Sequence, residues 1–130
     1  MILLFLKNRN MFKIEGKVIH GLGNGKKVGM PTANLDIKDL HEDIEFGVYA
    51  CYVYINDERY LGVCNVGSRP TVDNSKTVEV NIIDFDRDIY GLTITIELME
   101  LLRGIHKFNS LDEVKAQVDK DILRTKEILK

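Results

Sequence analysis

Alternation of apolar and polar residues through the middle of the chain predicts β-strands. In segment 77–85, valine or isoleucine occupies positions 78, 80 and 82 on one side of an extended backbone, and Glu79 falls on the other side. Segment 92–98 alternates in the same way, and segment 47–55 is apolar on both faces and rich in β-branched and aromatic residues. We therefore expect each of these segments to form a strand.

Turn signals separate and connect these strands. Polar residues 56–58 divide segment 47–55 from the apolar segment 60–66, which predicts a hairpin. An earlier apolar run near the N-terminus is interrupted by Gly16, which suggests a bend or a bulge. Segment 67–76 is polar and is expected to be a long loop.

The period changes near the C-terminus, where a helix is predicted. Ser110 is followed three residues later by Glu113, an arrangement typical of a capping box at a helix start. Apolar residues then recur mostly at helical spacing, at Leu111, Val114, Val118, Ile122 and Leu129. Five or six antiparallel strands followed by one amphipathic helix predict a small closed barrel or a tight sandwich.

Composition restricts the function more than it restricts the fold. The chain has 130 residues, 45% of them hydrophobic, so we expect one mainly β domain over residues 11–130. Its formal charge is −2, and without a surplus of basic residues we do not expect it to bind nucleic acid. Residues 1–10 are expected to be an appendage, because their six leading apolar residues are too few for a membrane span or a secretory signal. We expect a cytoplasmic protein without a membrane partner. Cys51 and Cys64 lie in apolar runs and are expected to be reduced core thiols.

Three features are candidates for chemistry, and each has a plainer explanation. Glycines at every second position from Gly21 to Gly25, with Lys26 and Lys27 next, suit backbone contacts to phosphates, but they equally suit a flexible hairpin loop. Thr32 and Asn34 would project to the same side of an extended backbone and present two oxygen ligands to a cation such as Mg²⁺. The alternative is a turn in which both side chains bond their own backbone.

Glu79 is the third candidate, a carboxylate in the middle of a predicted strand. Most glutamates in such positions simply face solvent, whereas one that faces a cleft can accept a proton from a substrate hydroxyl. A glycine-rich loop with lysines, a pair of oxygen ligands and a single carboxylate are together the parts that phosphoryl transfer requires.

Several short motifs in the chain resemble the riboflavin kinase family, whose signature is a G-x-PTAN run after a glycine-rich loop. The segments that carry the likeness are 29–35 (GMPTANL), 47–50 (GVYA), 65–71 (NVGSRPT), 78–80 with 84–85, 88–91 (DIYG), 102–103 and 107–110 (KFNS). They fall in the family's order over roughly residues 14 to 125. At Ile105 the chain departs from the family, which often has an acidic residue there.

The resemblance implies a six-stranded antiparallel Greek-key barrel with a C-terminal amphipathic helix, which transfers phosphate from ATP to riboflavin and releases FMN and ADP. In that fold Thr32 and Asn34 would hold Mg²⁺ against the ATP phosphates, and Glu79 would be the general base. The nucleotide side would include Gly21, Gly23, Lys27, Asp84 and Tyr90. The flavin side would include Arg103, His106 and Phe108.

Many bacterial members of this family also carry an upstream FMN adenylyltransferase domain that makes FAD. This chain is too short for that domain, so the sequence predicts small-molecule substrates and no FAD synthesis. Two alternatives stay open: a non-catalytic barrel that binds a flavin or a nucleotide, and a plain interaction domain. The second leaves the glycine-rich loop and Glu79 unexplained.

Overall fold

The computed structural model describes residues 12–19, 32–37, 40–69 and 75–129, and these contain six strands and one helix. The strands are β1 (Phe12–Ile19), β2 (Ala33–Asp36), β3 (Gly47–Ile55), β4 (Glu58–Arg69), β5 (Ser75–Ile82) and β6 (Thr93–Arg103). The helix, α1, spans Leu111–Ile128. All strand pairs are antiparallel, and the strands form a closed barrel in the order β1-β2-β5-β4-β3-β6.

This strand order is a Greek key. Strands β3, β4 and β5 pair in sequence, and β6 returns to lie beside β3. Strand β6 also pairs with β1, from Phe12 opposite Leu98 to Lys17 opposite Thr93, which closes the barrel. The predicted mainly β fold, a six-stranded Greek-key barrel with a C-terminal helix, is confirmed, and the alternative of a sandwich is wrong.

The barrel interior is filled by branched apolar side chains and two cysteines. Its most deeply buried members are Cys51, Val53, Cys64, Val66, Val78, Val80, Ile94, Ile96 and Leu98. Gly62 also faces this core, where an added Cβ would lie 2.9 Å from Cγ2 of Val53 and 3.1 Å from Sγ of Cys51. Since no space is left for even one methyl group, the interior has no room for a substrate.

The alternative of a bulge at Gly16 is wrong. Strand β1 pairs with β6 through Gly16 without a shift in register. An added Cβ at this position would lie 2.7 Å from Cδ1 of Ile37 and 3.0 Å from the carbonyl oxygen of Asp36. Close packing against the next segment therefore requires glycine here.

The β3–β4 hairpin is confirmed, with a two-residue turn at Asn56 and Asp57. Both residues have positive φ, 48° and 70° respectively, as a type I′ turn demands. Asparagine and aspartate tolerate this left-handed conformation better than most residues. The turn therefore sets the β3–β4 register, in which Val48 lies opposite Asn65.

Strand β6 extends five residues beyond the predicted segment 92–98, to Arg103. Its pairing with β3 shifts register between Val48 and Tyr49 and again between Ala50 and Cys51, so that β6 carries an extra residue at each shift. Such bulges interrupt the alternation of buried and exposed positions, which is why the pattern alone ends this strand too early.

Helix α1 begins as predicted. The hydroxyl of Ser110 accepts a hydrogen bond from the backbone N–H of Glu113 at 3.1 Å, and the Glu113 carboxylate accepts one from the N–H of Asn109 at 2.8 Å. The helix lies on the outside of the barrel, where Ile122 packs on a small cluster. That cluster consists of Val48, Val63 and Ile83, flanked by Leu61 and Leu102. The most buried side chains of the helix are nevertheless polar, Asp121 at 4% exposure and Thr125 at 0%.

Within the described residues, no helix combines the length and the apolar character that crossing a membrane needs. Two predictions fall outside those residues: the appendage predicted at residues 1–10, and the predicted glycine-rich loop with Gly21, Gly23 and Lys27.

The two core cysteines predict a loss of stability at alkaline pH. Cys51 and Cys64 are free and fully buried, and burial raises the pKa of both thiols above the ordinary value. Above about pH 9 the unfolded chain loses thiol protons that the native state keeps, so the free energy of unfolding should fall by up to about 1.4 kcal/mol per pH unit for each thiol. Below that pH the full contribution is present.

Urea unfolding between pH 7 and 10 measures this slope. The variant Cys51→Ala should show roughly half of it between pH 9 and 10, because one of the two thiols is gone. An identical slope in the variant and the wild type would contradict the assignment of the effect to the thiols.

Candidate active site

Three polar side chains form a row across the outer wall of the barrel. Glu79 on β5 lies opposite Asn34 on β2 and opposite Asn65 on β4. Side chains of directly opposite residues point to the same face of a sheet, and neighbouring strands are about 4.8 Å apart. The carboxylate of Glu79 is therefore flanked by one amide on each side.

Glu79 projects away from the barrel interior. Its neighbours Val78 and Val80 are 1% and 0% exposed and belong to the interior core, so alternation turns Glu79 outward, where it is half-buried. Its negative charge acts through the wall: burial raises the pKa of the Cys64 thiol, and the charge of Glu79 raises it further.

Thr32 and Asn34 provide neutral oxygen atoms beside this carboxylate. Asn34 is half-buried in β2, and Thr32, also half-buried, lies two residues before it. Across the described residues, no three histidine, cysteine, aspartate or glutamate side chains gather into a metal-binding group. The hydroxyl and amide oxygens are nevertheless the donors that Mg²⁺ accepts when substrate phosphates complete its coordination. The residues present therefore fit such an ion.

The loop after β6 passes over the outer wall close to this row. A Cβ added to Gly67 on β4 would lie 3.2 Å from Cδ1 of Ile105, 3.6 Å from Oγ1 of Thr77 and 3.9 Å from Oδ1 of Asn65. Gly67 and Thr77 are an opposite pair two residues along their strands from Asn65 and Glu79. The side chain of Ile105 thus covers the wall at Gly67, two strand residues from the level of Glu79.

An ion pair fixes the start of this loop. Arg103, at the end of β6, donates from Nε to both carboxylate oxygens of Asp121 at 3.2 and 3.1 Å, and from Nη2 to Oδ2 at 2.9 Å. Gln117 donates to Oδ1 of the same carboxylate at 3.0 Å. Helix α1 therefore holds the guanidinium of Arg103 at several points.

The predicted flavin side is brought together by this loop. The guanidinium carbon of Arg103 lies 5.7 Å from the ring centroid of Phe108, and the Phe108 ring lies 4.6 Å from the ring of His106. Arg103 is also on the Glu79 row, because Val48 pairs with both Asn65 and Arg103. Three strand spacings of about 4.8 Å therefore separate Glu79 from Arg103 along the wall.

The two described residues predicted on the nucleotide side lie in different places. The turn at Tyr90 is tied to β1 by the bond from the N–H of Gly91 to the carbonyl of Val18, and Val18 pairs with Leu35, next to Asn34. Asp84 lies beyond the C-terminal end of β5 and has a positive φ of 57°. Its Oδ2 atom lies 3.8 Å from Nζ of Lys126 on the helix. Tyr90 is thus near the Asn34 end of the row, whereas Asp84 is near the end of α1.

Sequence reasoning missed Asn65 and Asp121. The position of Asn65 opposite Val48 follows from the hairpin, by counting along β4 from the turn. The pairing of Asn65 with Glu79 does not follow, because residues 70–74 separate β4 from β5 and no local pattern sets the register between these strands. Asp121 belongs to no motif or cap in the sequence. Only its position among apolar residues at helical spacing, one residue before Ile122, signals burial.

Comparison with known proteins shows the family of this chain. The riboflavin kinase family (flavokinase) matches residues 8–129 of the chain. The bifunctional riboflavin kinase/FMN adenylyltransferase of Bacillus subtilis is 39% identical over 112 residues, which are 83% of this chain and 35% of that protein. The chain thus spans about a third of the length of that relative.

Two solved structures share the fold. Riboflavin kinase from Trypanosoma brucei matches with a TM-score of 0.67 and 25% identity, over 92% of this chain and 80% of that one. A chain named macrolide-efflux protein, from Streptococcus pneumoniae, matches with a TM-score of 0.81 and 36% identity, over 88% of this chain and 38% of that one. From the match over nearly its whole length, this chain belongs to the riboflavin kinase family.

Proposed function

We propose that this chain transfers the γ-phosphoryl group of ATP to the 5′-hydroxyl of riboflavin, forming FMN and ADP. The observation that carries the proposal is the Glu79 row: a half-buried carboxylate between Asn34 and Asn65, with the predicted flavin loop packed beside it. In the reaction the riboflavin oxygen forms a bond to the γ-phosphorus as the bond from that phosphorus to the β-phosphate oxygen breaks.

In this proposal Glu79 accepts the proton of the attacking hydroxyl. A general base must come within about 3 Å of that hydroxyl, either directly or through one water molecule. The outward direction of Glu79 and the position of Ile105 two strand residues away support a substrate lying along the outer wall. Riboflavin would extend from Glu79 toward the loop that carries Arg103 and Phe108 and that contacts Gly67 through Ile105.

The phosphates would lie on the opposite side of Glu79. There the hydroxyl of Thr32 and the amide oxygen of Asn34 would hold Mg²⁺, which neutralises negative charge on the ATP phosphates when it is bound. The proximity of Tyr90 to this end of the row supports a nucleotide there. The order across the wall is then nucleotide, base and flavin, as in-line transfer requires.

The second activity in the name of the Bacillus subtilis relative is not part of this proposal. The family match accounts for residues 8–129 with riboflavin kinase alone. We propose that FMN adenylylation, where it accompanies this activity, depends on a separate nucleotidyltransferase domain, and that the partners of this chain are its small-molecule substrates.

The reaction and its metal are tested together. Protein incubated with riboflavin, ATP and Mg²⁺ should form FMN, detected by chromatography, and EDTA should abolish it. The variant Asn34→Ala should need about tenfold more Mg²⁺ for half-maximal activity, because it loses one ligand. Asn65→Ala removes the amide on the other side of Glu79 and should leave that requirement unchanged. Folded protein that binds riboflavin but forms no FMN would favour the non-catalytic alternative.

Replacing the base should separate turnover from binding. Glu79→Gln keeps the shape of the side chain and should lower kcat by about 10²-fold or more, with the KM for riboflavin within about threefold of wild type. The matched control is Glu97→Gln, another outward glutamate in a strand, which accepts a hydrogen bond from the Tyr54 hydroxyl at 3.0 Å. Wild-type turnover by Glu79→Gln would refute the assignment of Glu79.

A larger residue at Gly67 should disturb the flavin side selectively. Gly67→Val adds two methyl groups beyond a Cβ that already lies 3.2 Å from Ile105, so the loop must move outward. We expect the KM for riboflavin to rise about fivefold, with the KM for ATP nearly unchanged, at a stability cost of about 1–3 kcal/mol. Gly67→Ala needs only a small shift of Ile105 and should have a smaller effect. Steady-state kinetics with each substrate varied would show whether the two KM values change together, which would contradict this placement.

A further inference from the structure

The helix that packs on the barrel brings a carboxylate into a nearly dry environment. The side chain of Asp121 is 5% exposed, and that of Arg103, its ion-pair partner, is 19% exposed. Removing such a pair from water costs free energy that its own attraction roughly offsets, so a buried ion pair is weak evidence of a stabilising role. A specific geometry at Arg103 is the better explanation of its presence.

The contacts of Asp121 leave Arg103 little freedom. The carboxylate receives three hydrogen bonds from the guanidinium, through both Nε and Nη2, and a fourth from Gln117. A two-point contact of this kind fixes the plane of the guanidinium as well as its position.

The orientation of Arg103 bears directly on the loop that follows it. Nη1 of Arg103 lies 3.4 Å from the carbonyl oxygen of Gly104, and the guanidinium lies 5.7 Å from the centroid of the Phe108 ring. The start of the segment 104–108 is thus attached through Arg103 to the helix, and its second residue, Ile105, rests on Gly67 of the wall. The helix and the wall together determine where the loop lies.

We propose that Asp121 is a positioning residue for the riboflavin side of the site. It holds the guanidinium of Arg103 so that Arg103 and Phe108 present a preformed surface to the flavin before the substrate arrives. This inference rests on the proposed function and adds to it a residue of the helix that does not touch substrate. Loss of the Asp121 charge therefore weakens riboflavin binding, and leaves the phosphate side and the chemical step largely intact.

The test is Asp121→Asn, which keeps the shape of the side chain and removes its charge. We expect the KM for riboflavin, and its Kd from quenching of riboflavin fluorescence, to rise about tenfold, as the loss of charge-assisted hydrogen bonds implies. The KM for ATP should stay within about twofold and kcat within about threefold of wild type. An unchanged Kd and KM for riboflavin in folded Asp121→Asn would overturn the proposal.

Thr125→Val is the matched control for a general weakening of the helix. It removes the buried hydrogen bond of 2.8 Å from the Thr125 hydroxyl to the backbone carbonyl of Asp121 and leaves the Asp121 carboxylate with its partners Arg103 and Gln117. The Tm should fall, with riboflavin binding unchanged. If Thr125→Val weakens riboflavin binding as much as Asp121→Asn does, the effect comes from helix stability and the proposal is wrong.

A milder variant covers the case in which Asp121→Asn does not fold. Gln117→Met removes only the amide that holds Oδ1 of Asp121, at a half-buried position, and should raise the Kd for riboflavin about threefold. No change in that Kd would overturn the proposal. The two proposals fail in different ways. If the proposed function is wrong, the wild-type protein forms no FMN. If only the role of Asp121 is wrong, the wild-type protein still binds riboflavin and forms FMN.

Discussion

The closed ladder of backbone hydrogen bonds is the constraint on which the rest of the molecule depends. Because β6 pairs with β1, every strand has one face toward an interior of buried apolar side chains and one face toward the outside. At Gly62 the interior has no space for even a Cβ. Any binding surface must therefore be built on the outer wall, from residues at alternate strand positions and from the loops that fold back over them.

The helix contributes differently from the strands. Its contact with the wall is partly apolar, through Ile122, but among the described residues its most buried side chains are Asp121 and Thr125. Apolar contacts tolerate small sliding motions, whereas a two-point ion pair does not. The ion pair between Arg103 and Asp121 therefore restricts the position of the loop after β6 more than the apolar contact of Ile122 could by itself.

The sequence predicted those parts of the molecule that short-range patterns determine. Alternation around Glu79, the hairpin turn at Asn56 and Asp57, and the cap at Ser110 each depend on residues close together in the chain, and all three are confirmed. The bulges in β6 were not predictable, because an extra residue in a strand looks like the end of its pattern. Neither was the burial of Asp121, which depends on a partner 18 residues away in the chain.

The candidate site was predictable to a similar extent and for the same reason. Glu79, Thr32 and Asn34 came from local motifs, and their resemblance to a family supplied roles that spacing alone left open. That Asn34 and Asn65 flank Glu79 depends on pairings between strands that are distant in sequence. The placement of Ile105 over Gly67 likewise depends on a loop folding back, which carries no periodic signal.

The tight turn between β3 and β4 has a practical consequence for work with this protein. Asn56 and Asp57 lie eight residues from the level of Val48 and Asn65, or about 26 Å along the hairpin. Both residues are exposed and contribute nothing to the interior. A fluorescent label or an immobilising tag attached at this tip would project away from the Glu79 row, so surface-bound or labelled protein would keep its substrate side open to solution.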